Sequence, residues 1–368
     1  MKKASVKIAC VSVFLCVLFS GALRADDDSF IAKLHTIKAH ASTVPKNGDL
    51  NPYGVAVVSK TVGKLLENHV LVSNFNNANN LQGTGSTIVQ VSPGDGSTQL
   101  FAQINASTLP GPCPGGVGLT TALVVLRSGW VIVGSLPTTD GTAATAQAGC
   151  LIVLNSMGEA VTTISGGDIN GPWDMTALEQ GSTALLFVTN VLSNGTVAAG
   201  GKTVSGATVL RIKVSITGSS LTETSRTLIG SGFAERTDPM ALVIGPTGVG
   251  LGAGDVLYVA DTLNSRIAVI DQASMRSMSA NTGSTVSGGG ALNGPLGLVI
   301  APNGNIITVN AGDGNMVETT PGGKQVAVKP VDVTGGGAGD LFGPAIRPEG
   351  SPGVYFVNDG NNTLDLLH

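Results

Sequence analysis

The sequence predicts an all-β fold, a six-bladed β-propeller built of four-stranded antiparallel blades. Glycine accounts for 52 of the 368 residues, whereas charged residues make up only 12% and aromatic residues 4%. No charged or proline-rich linker divides the chain, although it is long for one compact core. Turn-rich chains of this length without a linker are typical of repeat proteins.

The repeating unit is a set of four strands, named A to D in chain order. Residues 256–260 alternate as strand B, residues 261–264 form a turn, and residues 266–270 form strand C. The next unit repeats this order from Pro295, with glycine turns between its strands. One such sheet cannot bury both of its faces, so the units are expected to pack radially as blades.

A proline opens strand A in each predicted unit. Proline suits the first residue of a strand because no ladder hydrogen bond is lost there. The six predicted openings are Pro52, Pro114, Pro172, Pro239, Pro295 and Pro344. Six openings predict six blades.

The two ends of the chain are expected to complete one blade together. The last unit ends after its strand C, at residues 363–367, and lacks a strand D. Residues 30–37 precede the first strand A and have no partner of their own. We therefore expect residues 30–37 to pair with residues 363–367 and close the ring. A short helix over residues 30–37 is the alternative.

The units at Pro239 and Pro295 resemble NHL repeats. They share a Pro-x-Gly or similar opening, a glycine turn and a strand that ends in VAD at residues 259–261 or in VN at residues 309–310. The resemblance extends over nearly all of the chain after residue 25, with insertions in the units at Pro114 and Pro172. It implies a six-bladed propeller, and members of this family are mostly binding scaffolds. Such a degenerate repeat specifies a fold more than an activity.

The first residues have the layout of a bacterial secretory signal. Lys2, Lys3 and Lys7 precede an apolar run at residues 8–19 and small residues at 20–22. We expect a signal peptide over residues 1–25, a single propeller domain over residues 26–368, and a secreted or periplasmic location. Neither the apolar run nor any later stretch is long enough for a membrane span. Removal of the signal would change the net charge from −4 to −8, which argues against nucleic-acid binding.

Two cysteines, Cys113 and Cys150, follow the predicted signal. Cys113 precedes strand A of the second unit, and Cys150 opens its strand C after a long insertion. Both positions lie at the same end of one blade. An even pair in an oxidising compartment is typical of a disulfide, so we predict a bond between them.

Polar side chains recur where strand A begins and strand B ends. In an up-and-down blade these points lie on one face, here the loop face, which carries the D-to-A and B-to-C connections. The A-to-B and C-to-D turns lie on the opposite face, the turn face. The predicted ligand-binding residues on the loop face are Asn74, Trp173, Asp174, Asn190, Arg236, Asp238, Asp261, Asn310 and Asp359.

Three interpretations of this ring stay open. Asn and Asp cap turns by bonding nearby backbone, and a repeat would place them there in every unit. A hard cation such as Ca²⁺ prefers carboxylate and carbonyl oxygens, and its candidate ligands are Asp174, Asp238, Asp261 and Asp359. A polar ligand such as a sugar is the third interpretation. Trp173 would either stack on that ligand or pack at a blade junction.

Two functions follow from these features. The first is a binding scaffold for a protein, peptide or glycan, which the long B-to-C insertions at residues 136–149 and 191–206 favour. The alternative is a metal-dependent hydrolase or lyase with its site at the mouth of the central channel on the loop face, resembling lactonase-type propellers of the gluconolactonase family. Those hold a cation with Glu, Asn and Asp, whereas no glutamate opens a strand A here. Catalytic sequence motifs such as G-x-S-x-G and H-E-x-x-H are missing, so we favour the scaffold.

Overall fold

The computed structural model describes residues 29–192, 196–333 and 339–368, which form six antiparallel sheets. The predicted signal peptide lies outside the described residues. Blade 1 consists of β2 (Leu50–Val57), β3 (Val70–Asn76), β4 (Thr87–Val91) and β5 (Thr98–Gln103). Blade 2 consists of β6 (Leu119–Val125), β7 (Val131–Ser135), β8 (Cys150–Leu154) and β9 (Ala160–Ser165). Blade 3 consists of β10 (Gly171–Gln180), β11 (Thr183–Val191), β12 (Val204–Thr217) and β13 (Ser220–Asp238), to which the short β14 (Leu242–Ile244) is paired.

The second half of the ring repeats the same order. Blade 4 consists of β15 (Pro246–Gly252), β16 (Val256–Asp261), β17 (Arg266–Ile270) and β18 (Ser284–Gly288). Blade 5 consists of β19 (Pro295–Ile300), β20 (Ile306–Asn310), β21 (Asn315–Thr319) and β22 (Gln325–Pro330). Blade 6 consists of β23 (Leu341–Ile346), β24 (Val354–Asn358), β25 (Thr363–Leu367) and the N-terminal β1 (Ile37–Ser42). Short 3-10 turns occupy Ile31–Lys33, Ala106–Thr108, Ala143–Thr145, Ala253–Asp255 and Thr262–Asn264.

The inner strands form a closed ring around one axis. Each inner strand contacts the next, in the order β2, β6, β10, β15, β19 and β23, and β23 contacts β2 again. Apolar side chains fill the space between neighbouring blades and are almost wholly buried there. The predicted six-bladed β-propeller is therefore confirmed. No helix among the described residues is long and apolar enough to cross a membrane.

The N-terminal strand closes the last blade, as predicted. In β1, Ile37 pairs with Leu367 and Ser42 pairs with Thr363 of β25. The closing strand is Ile37–Ser42 and shares only Ile37 with the predicted range of residues 30–37, because residues 31–33 form a 3-10 turn instead. The backbone amides of Phe30 and Ile31 donate to a carboxylate of blade 5, so they are not available to a strand.

One predicted opening is wrong and four are displaced, because only Pro295 is the first residue of its strand A, whereas Pro52 is the third residue of β2 and Pro172 the second of β10. Strand A of blade 4 begins at Pro246, whereas Pro239 lies in the turn between β13 and β14. The 19-residue β13 pairs with β12 up to Glu235 and then runs past the body of the blade to Asp238, where it pairs with β14. Strand A of blade 2 begins after Pro114, and Pro344 lies within β23 rather than at its start.

Pro246 opens a Pro-x-Gly sequence that matches the openings of blades 1 and 5. The close packing of neighbouring blades explains the glycine of this sequence, Gly248. A Cβ atom on Gly248 would clash with the carbonyl oxygen of Leu296, so glycine lets β15 approach β19 closely. Arg236 and Asp238 therefore lie at the end of a strand D, and not at the opening of a strand A as the sequence suggested.

Candidate functional site

The structure brings the ends of the six B strands to one level on the loop face. Asn74 pairs with Pro52, Asn190 with Pro172, and Asp261 with Pro246. The remaining pairs at this level are Asn310 with Pro295, Ser135 with Leu119 and Asn358 with Leu341. The predicted ring of short polar side chains thus exists as a geometric level of the propeller.

These asparagines are buried, and those with hydrogen bonds use them to hold connections of the fold. The Asn74 amide donates to the carbonyl oxygen of Thr43 at 3.0 Å. The Asn310 amide donates to Asp313 Oδ1 at 3.0 Å, within the turn that follows its strand. Asn190 is wholly buried, and its side-chain amide makes no hydrogen bond among the described residues. This geometry is that of structural residues at strand ends.

The four candidate metal ligands do not meet at one point. Asp261 forms an ion pair with Arg266 at 2.7 Å, and Asp238 forms one with Arg236 at 2.7 Å. Each of these carboxylates therefore already has a cation from its own blade. No group of three or more His, Cys, Asp or Glu side chains in the described ranges could hold a metal ion. Two of the four predicted ligands, Asp238 and Asp261, are thus engaged by arginine side chains.

Asp359 belongs to a different acidic group. Burial, followed by the charges of Asp340 and Asp332, raises the pKa of Asp359 to about 7. Burial and Asp332 also raise the pKa of Asp340. Burial and the mutual repulsion of these carboxylates both make the charged form of Asp359 costly in the folded state.

Aromatic side chains close the channel at the loop face. Tyr53 stacks on Phe342 with ring centroids 3.8 Å apart and meets Trp173 edge-on at 6.0 Å. Phe75 contacts both Tyr53 and Trp173, and all four rings are almost wholly buried. Trp173 is thus a packed aromatic residue at a blade junction. The open channel mouth that we expected at this face is filled by an apolar plug.

The channel opens at the turn face instead. In β6, β10, β15, β19 and β23 the first residues are buried and the last ones partly exposed. A cavity of about 300 Å³ follows the axis from below the aromatic plug toward the A-to-B turns. Asp174 lines this cavity, whereas its neighbour Trp173 belongs to the plug.

A bulge in β10 separates these two neighbours. Pro172 pairs with Asn190 and Asp174 pairs with Thr189, so Trp173 is the extra residue of the bulge. The Asp174 carboxylate accepts hydrogen bonds from the amides of Met175 at 2.8 Å and Val249 at 3.2 Å. Burial raises the pKa of Asp174 well above its usual range, against the effect of these two amides.

A groove on the loop face lies outside the axis, between loops of blades 2 and 3. Its volume is about 290 Å³. Its lining residues come from both B-to-C insertions and from the turn after β13, and they are Gly141, Thr142, Ala143, Gly200, Gly201, Thr237, Asp238 and Pro239. We call it the loop groove. Met240, next to Pro239, is 88% exposed.

Polar contacts hold the loop groove in shape. Asp140 Oδ1 accepts from the amide of Thr142 at 2.9 Å and from the hydroxyl of Thr145 at 2.6 Å. Asp238 accepts from Arg236 and, at 2.9 Å, from the amide of Met240. Both walls of the groove are therefore fixed by carboxylates within the protein.

Two further devices anchor the insertions. Cys113 is bonded to Cys150, as predicted, and Cys150 is the first residue after the blade 2 insertion. Glu235 is wholly buried and accepts from the amide of Leu192 at 2.6 Å and the hydroxyl of Thr196 at 2.8 Å. These two hydrogen bonds hold the blade 3 insertion in place on both sides of residues 193–195.

Sequence reasoning missed Glu235, Asp140 and Met240. Glu235 had a readable signal, because it is an acidic residue within a long alternating strand. Asp140 lies in a run of small polar residues that is typical of a loop and gives no sign of its hydrogen bonds. Met240 was assigned to a strand A, which concealed its exposure at a turn.

No protein-family model matches the chain, and no curated protein matches it either. Several solved structures, however, are similar to this chain. A virginiamycin B lyase from Staphylococcus aureus is 15% identical, with 90% of this chain and 85% of that chain covered and a TM-score of 0.50. A gluconolactonase from Xanthomonas campestris is 11% identical, with 90% and 93% covered and a TM-score of 0.53.

A calcium-binding protein, regucalcin, from Agrobacterium tumefaciens is 10% identical to this chain. The match covers 89% of this chain and 92% of that chain, with a TM-score of 0.53. At such low identities the likeness concerns the fold alone. The chain therefore shares the six-bladed propeller architecture with these proteins.

Proposed function

We propose that this protein is an exported binding module that captures a segment of another protein in the loop groove. The observation that carries this proposal is the convergence of two long insertions and the β13–β14 turn on one concave place. Loops held by a rigid scaffold are where binding residues tend to lie. Asp140, Glu235 and the disulfide hold these loops before any partner binds, which lowers the entropic cost of association.

The lining of the loop groove favours a peptide over a glycan. Glycine, alanine and proline supply most of its surface, and no aromatic side chain lies among its described lining residues. A sugar ring would usually find an aromatic face there, whereas a small apolar side chain needs only a close, apolar wall. Met240 offers a flexible apolar contact at the rim, a residue type common at adaptable binding surfaces.

The proposed export rests on two features. The lysine-led apolar segment at residues 1–25 has the composition of a secretory signal. The Cys113–Cys150 bond is of a kind that persists in oxidising compartments. The periplasm or the cell exterior suits both features, and residues 26–368 would form the exported domain, a single propeller with NHL-like repeats.

A metal-dependent hydrolase or lyase is the less favoured proposal. Its support is that similar folds include a lyase, a gluconolactonase and a calcium-binding protein. Asp238 and Asp261 are each engaged by an arginine, which weakens the calcium version of this proposal. A Ca²⁺-dependent rise of the melting temperature that is lost on Asp261→Ala would favour it.

The binding proposal is tested by two parallel screens of the exported domain. A displayed library of random peptides and an array of glycans are each probed with the same labelled protein. We expect sequence-related peptides with small apolar residues to be selected, and no glycan to bind in a saturable manner. Selection of glycans alone would reject the peptide ligand and leave a lectin-like module as the better account.

A further inference from the structure

We propose that the central cavity on the turn face is a second binding site, for a small uncharged molecule with an aliphatic body and one hydrogen-bond acceptor oxygen. This site is separate from the loop groove and does not depend on the function proposed for it. The aromatic plug lies between this cavity and the loop face of the propeller.

The cavity has the size and shape of a small-molecule site. Its volume of about 300 Å³ is at the lower end of the range for such sites. All six inner strands contribute an apolar side chain to its wall, namely Val57, Val125, Ala177, Val249, Leu298 and Ile346. A molecule in the cavity would therefore contact an apolar side chain of every blade.

Two polar residues line this cavity, Thr121 of β6 and Asp174 of β10. Thr121 is 3% exposed, and its hydroxyl makes no hydrogen bond within the described parts of the chain. Asp174 is 9% exposed and accepts hydrogen bonds from two backbone amides. A buried hydroxyl without a partner is costly, so a ligand oxygen that accepts from it would be stabilising.

The position of Asp174 shows that it is a special feature of blade 3. The same level of the inner strand is occupied by glycine in four blades, at Gly54, Gly248, Gly297 and Gly343. At each of these glycines a Cβ atom would meet the neighbouring blade too closely. Blade 2 carries Ala122 and blade 3 carries Asp174 at this level, so Asp174 is the polar side chain among the six.

The charge of the site determines the class of ligand. The strands packed on this part of β10, namely β6, β11 and β15, carry no charged side chain. Glu179, the other acid of β10, lies near its far end and accepts from the amides of Arg127 and Ser128. Burial raises the pKa of Asp174 well above its usual range, which favours the protonated carboxyl group, a donor to an uncharged oxygen. An uncharged carbonyl or ether oxygen suits these donors, whereas an anion would be buried without a counter-charge.

The experiment is a calorimetric titration with 2-heptanone, which carries one carbonyl oxygen on an aliphatic chain. Heptanoate and CaCl₂ serve as comparison ligands. We expect saturable binding of 2-heptanone, and heptanoate to bind at least about tenfold more weakly because its charge would be buried. Absence of saturable 2-heptanone binding, or tighter binding of heptanoate or Ca²⁺, would overturn the proposal.

Variants of Asp174 and Thr121 then test whether these two side chains donate hydrogen bonds to the ligand. Asp174→Gly introduces the residue that four other blades use at this level, so the fold should accept it, and its thermal melt is the check. Asp174→Gly and Thr121→Val should each weaken 2-heptanone binding about fivefold, the value of one neutral hydrogen bond. Asp174→Asn keeps a neutral donor and should bind within about threefold of the unmodified protein. Equal binding by Asp174→Gly and the unmodified protein, or loss of binding in Asp174→Asn, would overturn the proposal.

Discussion

The hydroxyl of Ser29 donates a 2.6 Å hydrogen bond to the carboxylate of Glu318, which lies 289 residues later in the chain. The same carboxylate accepts from the amides of Phe30 and Ile31, at 2.9 Å and 2.8 Å. Glu318 belongs to β21 of blade 5, whereas β1 completes blade 6. The N-terminal segment therefore ties two blades together before it closes the ring.

Glu318→Ala should lower the free energy of unfolding by about 3 kcal/mol, because buried donors lose a charged partner. Burial alone would raise the pKa of Glu318, but hydrogen bonds from Asn303, Ser29, Asn305 and Ile31 hold it below its usual range. The stabilisation is therefore fully present above the pKa of an unfolded glutamate and is lost as the pH falls from there through the lower pKa of the folded state. Urea unfolding at pH 7 and at about pH 3 measures both effects. Glu67→Ala, at an exposed residue, is the control, and equal losses in the two variants would contradict the proposed role.

A protein that begins at Thr43 lacks β1 and should expose the edge of β25. Unpaired edges of this kind promote association and lower stability. We expect a lower melting temperature and aggregates in size-exclusion chromatography, relative to a protein that begins at Ser29. A monomer with unchanged melting temperature would show that β1 is dispensable for closure.

Removal of the disulfide by Cys113→Ala with Cys150→Ala should cost about 2–4 kcal/mol of stability. The bond closes a loop with a sequence separation of 37 residues and anchors one wall of the loop groove. Chemical unfolding of the oxidised protein and of the double variant measures the difference. Dithiothreitol should destabilise the first and leave the second unchanged; a double variant as stable as the oxidised protein would refute the assignment.

Asp359→Asn should stabilise the protein at pH 8 and have little effect at pH 4. The folded state raises the pKa of Asp359 to about 7, whereas unfolded aspartates titrate near 3.9. The folded state therefore loses stability as the pH rises from about 4 to 7, and the full loss is present above that range. Removing the charge should recover about 2–4 kcal/mol at pH 8. Asp168→Asn, at an exposed site, is the control, and a gain at pH 4 equal to that at pH 8 would contradict this account.

The features of the fold that could be predicted from the sequence are those that follow from the regular alternation of its strands. Strand B ends such as Asn74 and Asp261 follow regular alternation, so their common level on the loop face could be inferred. The Cys113–Cys150 bond followed from the blade topology in the same way. The assignment of Pro239 to the opening of blade 4 was wrong because β13 continues past the blade. The Pro-x-Gly sequence at Pro246 was the better signal for that opening.

The site itself could not be derived, because it depends on irregularities of the inner strands. A single bulge in β10 directs Trp173 into the plug and leaves Asp174 in the cavity below. Neighbouring residues thus contribute to opposite sides of a barrier in the channel. Pattern alone does not show such a bulge, nor the meeting of the two insertions at the loop groove.

The most direct test of the binding function is a titration of one selected peptide against two matched methionine variants. Met240→Ser alters the rim of the loop groove, whereas Met275→Ser alters a methionine that is 79% exposed on the turn face. Loss of an apolar contact in the groove should weaken binding about five- to tenfold in the first variant, with no change in the second. Equal affinity of both variants for the peptide would contradict a binding site in the loop groove.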